Sequence, residues 1–135
     1  MPTILARAAL FAAVAFTAQA QDEFRPAIVY DLGGKFDKSF NEAAFTGAER
    51  FKEETGVSYR EFEIQNDAQR EQAMRRFARG GYDPVIAIGF SHANAMEKVA
   101  AEFPDTQFAI VDMVVDLPNV RSILFKEHEG SYLVG

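Results

Sequence analysis

Six side chains have the types needed to grip a small polar ring: Asp31, Phe40, Asn41, Phe90, Ser91 and Asp112. An aromatic face stacks on a ring. Carboxylates accept hydrogen bonds from hydroxyls or ring N–H groups, and Asn offers a donor and an acceptor together. Three of the six lie in DLGGKFDKSFNE, residues 31–42, between an apolar run (Ala27 to Tyr30) and a stretch of helical periodicity. Each has a plainer reading by itself. Asp31 could cap the loop, Phe40 could be core, Asn41 could face solvent in a first helical turn, and Ser91 could be an ordinary N-cap. Asp112 is harder to dismiss. It interrupts FAIV–MVV, and a carboxylate at a buried strand end is costly unless it is paired or faces a polar site.

Catalytic chemistry finds less support. His92 and His128 have no ligand spacing between them, and both read as surface residues. There is no G-x-S-x-G elbow and no G-x-G-x-x-G fingerprint. GGKFDKS lacks the Gly-Lys-Ser/Thr ending that a phosphate loop requires. Asp31 and Asp112 could form an acid/base pair, but nothing marks a glycosidase subsite. With no cysteine, disulfides, thiolate metal sites and a cysteine nucleophile are excluded. No catalytic residue, metal or cofactor is expected, and the reading is not that of an enzyme. The formal net charge of −6, without a basic stripe, argues against nucleic acid as a partner.

The elements that must position these groups alternate. Apolar runs at Pro26–Tyr30, Ser58–Ile64, Pro84–Phe90, Gln107–Val115 and Val120–Phe125 read as strands, the second more exposed than the rest. Between them lie helical stretches. The first opens at Ser39 with Glu42 three residues on, a capping box. It carries Phe40, Ala44, Ala48 and Phe51 on one face and stops at Gly56. The second starts near Asp67, buries Ala73, Met74 and Phe77, and stops at Gly80-Gly81. The third starts at Ser91, buries Met96, Val99, Ala100 and Phe103, and stops at Pro104. This alternation predicts an α/β fold with an open parallel sheet and right-handed crossovers. All six candidates then fall at carboxyl ends of strands, where such sheets bind ligands. The Ser39 end of the first helix is expected to add free backbone N–H groups.

The chain opens with a secretory signal peptide, residues 1–20. Arg7 is followed by the apolar run Ala8–Phe16, too short to span a bilayer, and then by Ala18-Gln19-Ala20 with cleavage expected after Ala20. Residues 21–135 are read as one lobe. The start of a further helix at Gly130–Val134 suggests the first part of a longer protein, with part of one sheet face left uncovered.

DLGGKFDKSFNEAAFTGAERF resembles the opening of the basic membrane protein family of ABC-transporter substrate-binding proteins, best known as purine nucleoside receptors. The family pattern, an acid, a glycine pair, a second acid and Ser-Phe-Asn, reads here Asp31, Gly33, Gly34, Asp37, Ser39, Phe40, Asn41. Phe103-Pro104-Asp105, Phe108 to Asp112, Pro118-Asn119-Val120 and Glu129 to Gly135 are similar too. The resemblance implies a type I periplasmic-binding (Venus flytrap) fold of which residues 21–135 are the N-terminal lobe, the second lobe being absent. It implies that Phe40 stacks on a base with Asn41 beside it. Asp31 and Asp112 would take polar groups of base or ribose, and Phe90 and Ser91 would lie at the strand-three edge. It further implies a nucleoside-like ligand and ABC permease membrane subunits as partners. The absent cysteine points to a free periplasmic protein, not lipid-anchored. A sensory domain reporting to a membrane receptor shares the fold and is the alternative; an exported hydrolase or nucleosidase is a third reading.

Overall fold

A computed structural model of the protein describes residues 24–134; the signal segment expected at residues 1–20 lies outside them. The elements are β1 (Ala27–Tyr30), α1 (Phe40–Thr55), β2 (Arg60–Glu63), α2 (Gln69–Arg79), β3 (Val85–Ile88), a 3₁₀ turn (Phe90–His92), α3 (Ala93–Glu102), β4 (Phe108–Val111), β5 (Val120–Ile123) and α4 (Glu127–Val134). The five expected strands and three full helices are all present, each strand shorter than the apolar run that announces it.

The sheet runs β2-β1-β3-β4-β5, and every neighbouring pair is parallel. The chain goes from β1 outward to β2, then passes back over β1 to β3. With right-handed crossovers, that reversal puts α1 on one face and both α2 and α3 on the other. Side chains follow the period of two. Val29, Val85, Ala87, Phe108 and Ile110 pack with Met74 of α2 and with Met96 and Val99 of α3 in the main core. Ile28, Tyr30 and Ile88 point the other way, toward Ala44, Phe45 and Ala48 of α1. As an edge strand, β2 has no fully buried residue.

The α1 face is only half roofed. A trough of about 480 Å³ runs between α1 and Phe125, floored by Ile28, Ile86, Ile88 and Val111. The incomplete cover expected from the sequence is therefore present. Phe40 and Phe51 of α1 line the trough and are about a third exposed, at 36% and 37%.

The connection from β4 to β5 is tied to the end of α3 by one amide. Asn119 is 6% exposed, and its Nδ2 donates to the carbonyls of Ala100, Phe103 and Thr106, each at 3.0 Å. These carbonyls belong to the end of α3 and the turn after it, where helical partners run out. Asn119→Ala takes this donor from all three, leaving the Phe103 carbonyl only the Thr106 N–H at 3.1 Å, and the expected loss is about 1–3 kcal/mol of stability, measured as a fall in the urea midpoint with an unchanged slope.

Candidate functional site

The first β-to-α corner is built by two side chains that bond the backbone. Asn41, 2% exposed, accepts at Oδ1 from the Asp31 N–H at 3.1 Å; its Nδ2 donates to the carbonyls of Asp31 at 3.2 Å and Leu32 at 3.4 Å. Three of its four hydrogen-bonding positions are thus engaged in tying α1 to the end of β1. Asp37 caps α1: Oδ1 accepts from the N–H groups of Ser39 (2.8 Å) and Glu42 (3.1 Å), and Oδ2 from that of Asn41 (3.2 Å). The expected Ser39 capping box is corrected by this arrangement, since the Ser39 side chain makes no cap bond. Glu42 reaches back to the N–H of Lys38 instead, at 3.0 Å. The free N–H groups expected at this helix start are also largely spent on Asp37. Desolvation pushes the Asp37 carboxyl upward, but the backbone donors outweigh it and hold it below the usual range. Gly34 allows the fold-back at φ 74°, where a Cβ would come within 2.6 Å of Glu63 Oε2.

The second corner brings Asp31 together with β3. Asp31 Oδ1 accepts from its neighbour's N–H at Leu32 (2.7 Å) and from Arg70 Nη1 (2.7 Å), while Oδ2 accepts from the Ser91 hydroxyl at 2.9 Å. Ser91 therefore serves Asp31, and the α3 N-terminus is not capped by a side chain. The contact is close enough to require glycine at 89, φ 109°, because a Cβ there would sit 2.9 Å from Asp31 Oδ2. Burial pushes the Asp31 carboxyl up; the Leu32 N–H, Arg70 and Ser91 together bring it below the usual carboxylate range.

His92 is fully buried, which corrects its reading as a surface residue. Its Nε2 lies 3.3 Å from Arg70 Nη1. A guanidinium only donates, so Nε2 carries the lone pair and the ring proton sits on Nδ1, which has no partner among the described residues. Burial first, and Arg70 second, lower the His92 pKa to about 4. The ring is neutral at physiological pH and shut away from any bound solute.

Sequence reasoning missed Arg70 and the inward turn of His92, although both carry a signal. Arg70 precedes Ala73, Met74 and Phe77 by three, four and seven residues, and His92 precedes Ala95, Met96 and Val99 likewise. Each is the polar head of an apolar helical stripe.

The aromatic candidates remain open to solvent. Phe90 follows β3 and is 63% exposed; Phe40 opens α1 and meets Phe125, beyond β5, edge-on at 6.0 Å between centroids. Asp112 leaves β4 in the left-handed region, φ 73°, its N–H bonded to the Ile123 carbonyl at 2.7 Å. All lie at the carboxyl edge of one parallel sheet. Asp31 and Ser91 flank the point where β1 and β3 lead to opposite faces, the position at which such sheets bind ligands. Asp31 is drawn toward α2 and Ser91, whereas Phe40 faces the trough on the α1 side. Among the described residues no group of three or more His, Cys, Asp or Glu could hold a metal ion.

A parallel α/β sheet with polar and aromatic groups at this edge has the architecture of open sheets that take ligands there. The family model described as "ABC transporter substrate-binding protein PnrA-like" matches residues 25–135, and the chain belongs to that family. It is 38% identical over 119 residues to a CD4+ T-cell-stimulating antigen of Listeria monocytogenes, covering 84% of this chain and 33% of that protein. It is 32% identical over 118 residues to the ABC transporter nucleoside-binding protein BmpA of Lactococcus lactis, covering 84% and 34%. A Pyrococcus furiosus relative, 35% identical over 120 residues with 84% and 29% covered, is named an uncharacterized lipoprotein. That name departs from the unanchored protein expected from the sequence. The crystal structure of an ABC transporter system solute-binding protein from Aeropyrum pernix K1 superposes with a TM-score of 0.77 at 35% identity, covering 82% of this chain and 31% of that one. The chain spans about a third of the length of the curated relatives it matches. The expected α/β, open-parallel-sheet solute-binding fold and the family resemblance are borne out.

Asn41→Ala leaves the Asp31 N–H and two carbonyls without their partner, and the expected cost is about 1–3 kcal/mol, read from chemical unfolding. The unfolded His92 binds a proton near pH 6.5 and the folded one only near pH 4. Its contribution is therefore complete above about pH 6.5 and is lost as pH falls toward 4, about 3 kcal/mol in all. Urea midpoints for the wild type should decline through that window, and His92→Gln should flatten the decline.

Proposed function

We propose that the protein is the extracytoplasmic solute-binding component of an ABC importer, delivering a nucleoside or similar ring-bearing solute to membrane permease subunits. The carboxyl edge of the sheet forms one wall of its cleft. The observation that carries this reading is the pairing, on that edge, of exposed aromatic rings with a fixed acid. Phe90 is 63% exposed and Phe40 about a third exposed, and Asp31 is held by Arg70 and Ser91 at the strand end. An accessible aromatic face at a ligand edge can stack on a flat ring. The nucleoside-binding name of the Lactococcus lactis relative agrees with a flat heterocycle as that partner.

In this reading Phe40 stacks on the base, and Phe90 borders it across the β1/β3 divide. Asp31 and Asp112 accept hydrogen bonds from ring N–H or sugar hydroxyls. Ser91 and Asn41 act one step back, Ser91 by orienting the carboxylate and Asn41 by fixing the corner. Binding and release without bond cleavage suffice for this role. The signal segment at residues 1–20 supports export.

Isothermal titration with adenosine, guanosine and inosine, with riboflavin as a control solute, tests the reading. Heat is expected with at least one nucleoside, and silence with all of them would count against it. Phe40→Ala should weaken that binding by about 1–3 kcal/mol, the size of a base–aromatic stack, with an unchanged circular dichroism spectrum. A variant that melts early and shows no separate binding defect would return Phe40 to the trough alone.

A further inference from the structure

We infer that Arg70 is the positioning residue of the candidate site: it holds the Asp31 carboxylate charged and turned so that one acceptor position on Oδ2 is left for a hydroxyl or N–H of the bound solute. This rests on the functional reading above for the identity of the solute, and on geometry for the rest.

Arg70 is 6% exposed. Its Nε and Nη2 donate to Asp67 Oδ1 at 3.1 and 2.8 Å; its Nη1 donates to Asp31 Oδ1 at 2.7 Å and to His92 Nε2 at 3.3 Å. The guanidinium therefore spans from the start of α2 to the end of β1 and the turn after β3. Its plane is set on two sides: by Asp67, whose side chain is 82% exposed, and by His92, which is fully buried. A lysine lacks the fork to reproduce this set.

Lone pairs decide what remains at Asp31. Each carboxylate oxygen accepts about two hydrogen bonds. Oδ1 is filled by Leu32 N–H and Arg70, while Oδ2 has the Ser91 hydroxyl as its one donor among the described residues. The side chain as a whole is 20% exposed. Rotation cannot exchange the two oxygens without breaking the Arg70 and Ser91 bonds together, and Gly89 leaves no slack on the β3 side. A pair that only stabilised the fold could be replaced by apolar groups with little loss. This one sits at the ligand edge and ends in an unfilled acceptor.

The groups that act on Asp31 come from three elements: Arg70 from α2, with Asp67 opposing it; His92 and Ser91 from the 3₁₀ turn; and the Leu32 N–H from its own loop. His92 stays neutral above about pH 4, so Arg70 is the cation beside Asp31, acting together with the Leu32 N–H and the Ser91 hydroxyl.

The test pairs carboxyl-carbon NMR titration of Asp31 with nucleoside titrations from pH 8 to pH 5, on the wild type, Arg70→Gln and Arg70→Lys. In the wild type Asp31 should titrate below the ordinary carboxylate range, with nucleoside affinity flat across that span. Arg70→Gln should raise the Asp31 midpoint, weaken binding about tenfold at pH 7.5, the loss expected for one charge-assisted contact, and lose more toward pH 5. Arg70→Lys should restore the flat profile but not the full affinity. A loss equal at every pH, or an Asp31 midpoint unmoved by Arg70→Gln, overturns the inference. If Arg70→Gln does not fold, the wild-type midpoint and Asp31→Asn decide. An ordinary midpoint, or Asp31→Asn binding as tightly as the wild type, also overturns it. A wild type that binds no nucleoside sinks the functional reading instead, and the carboxyl titration still judges Arg70.

Discussion

Every connection in a parallel sheet must cross back over one face, and handedness leaves no choice of face once the strand order is set. With β1 between β2 and β3, the two loops leaving the centre of this sheet diverge. One climbs to α1 and the other to α3. The gap between them is a consequence of backbone geometry and would exist whatever side chains lined it. The sequence then fills the gap with groups that need each other. Asp31 at the end of β1 would be a poorly solvated charge if Arg70 did not reach it from α2, and Arg70 would be a buried cation if Asp31, Asp67 and His92 did not receive its protons. Neither member can be removed without leaving the other exposed to the cost of burial.

The same corner shows two levels of construction. Asn41 and Asp37 spend their hydrogen bonds on the backbone, so that the loop of residues 31–39 has one shape before any solute arrives. Phe40 and Phe90 spend nothing on it and remain accessible. A rigid frame carrying unsatisfied surface suits selective, reversible binding, because little conformational entropy is left to lose when the partner arrives.

The sequence made the sheet legible because the apolar runs around Ile28, Ala87 and Ile110 are buried on at least one face and hardly interrupted. Their ends were less clear: hydrophobicity continues through Val114 and Val115, whereas pairing in β4 stops at Val111, where Asp112 turns left-handed. The site was legible in its membership and not in its wiring. Asp31, Ser91 and Asn41 were recognisable as polar residues at strand ends. That Ser91 bonds Asp31 rather than its own helix, and that Asp37 rather than Ser39 caps α1, depend on contacts between segments far apart or on a rotamer. His92 was misread because a histidine just after a turn is usually solvated; the stripe it shares with Met96 and Val99 carried the better information. Arg70 was hidden for a similar reason, since a charge in a helix's first turn is ordinarily at the surface.

The trough beside α1 has a consequence for what can follow the fifth strand. Crossovers running rightward through β3 and β4 use the α2/α3 side, so any helix leaving the right-hand margin at β5 and travelling back toward the middle is steered by chirality onto the opposite side. There it would meet Ile86, Ile88 and Val111 already laid out as a bed. α4 (Glu127–Val134), which follows β5, buries no residue of its own and lines none of this trough, so the bed stays open.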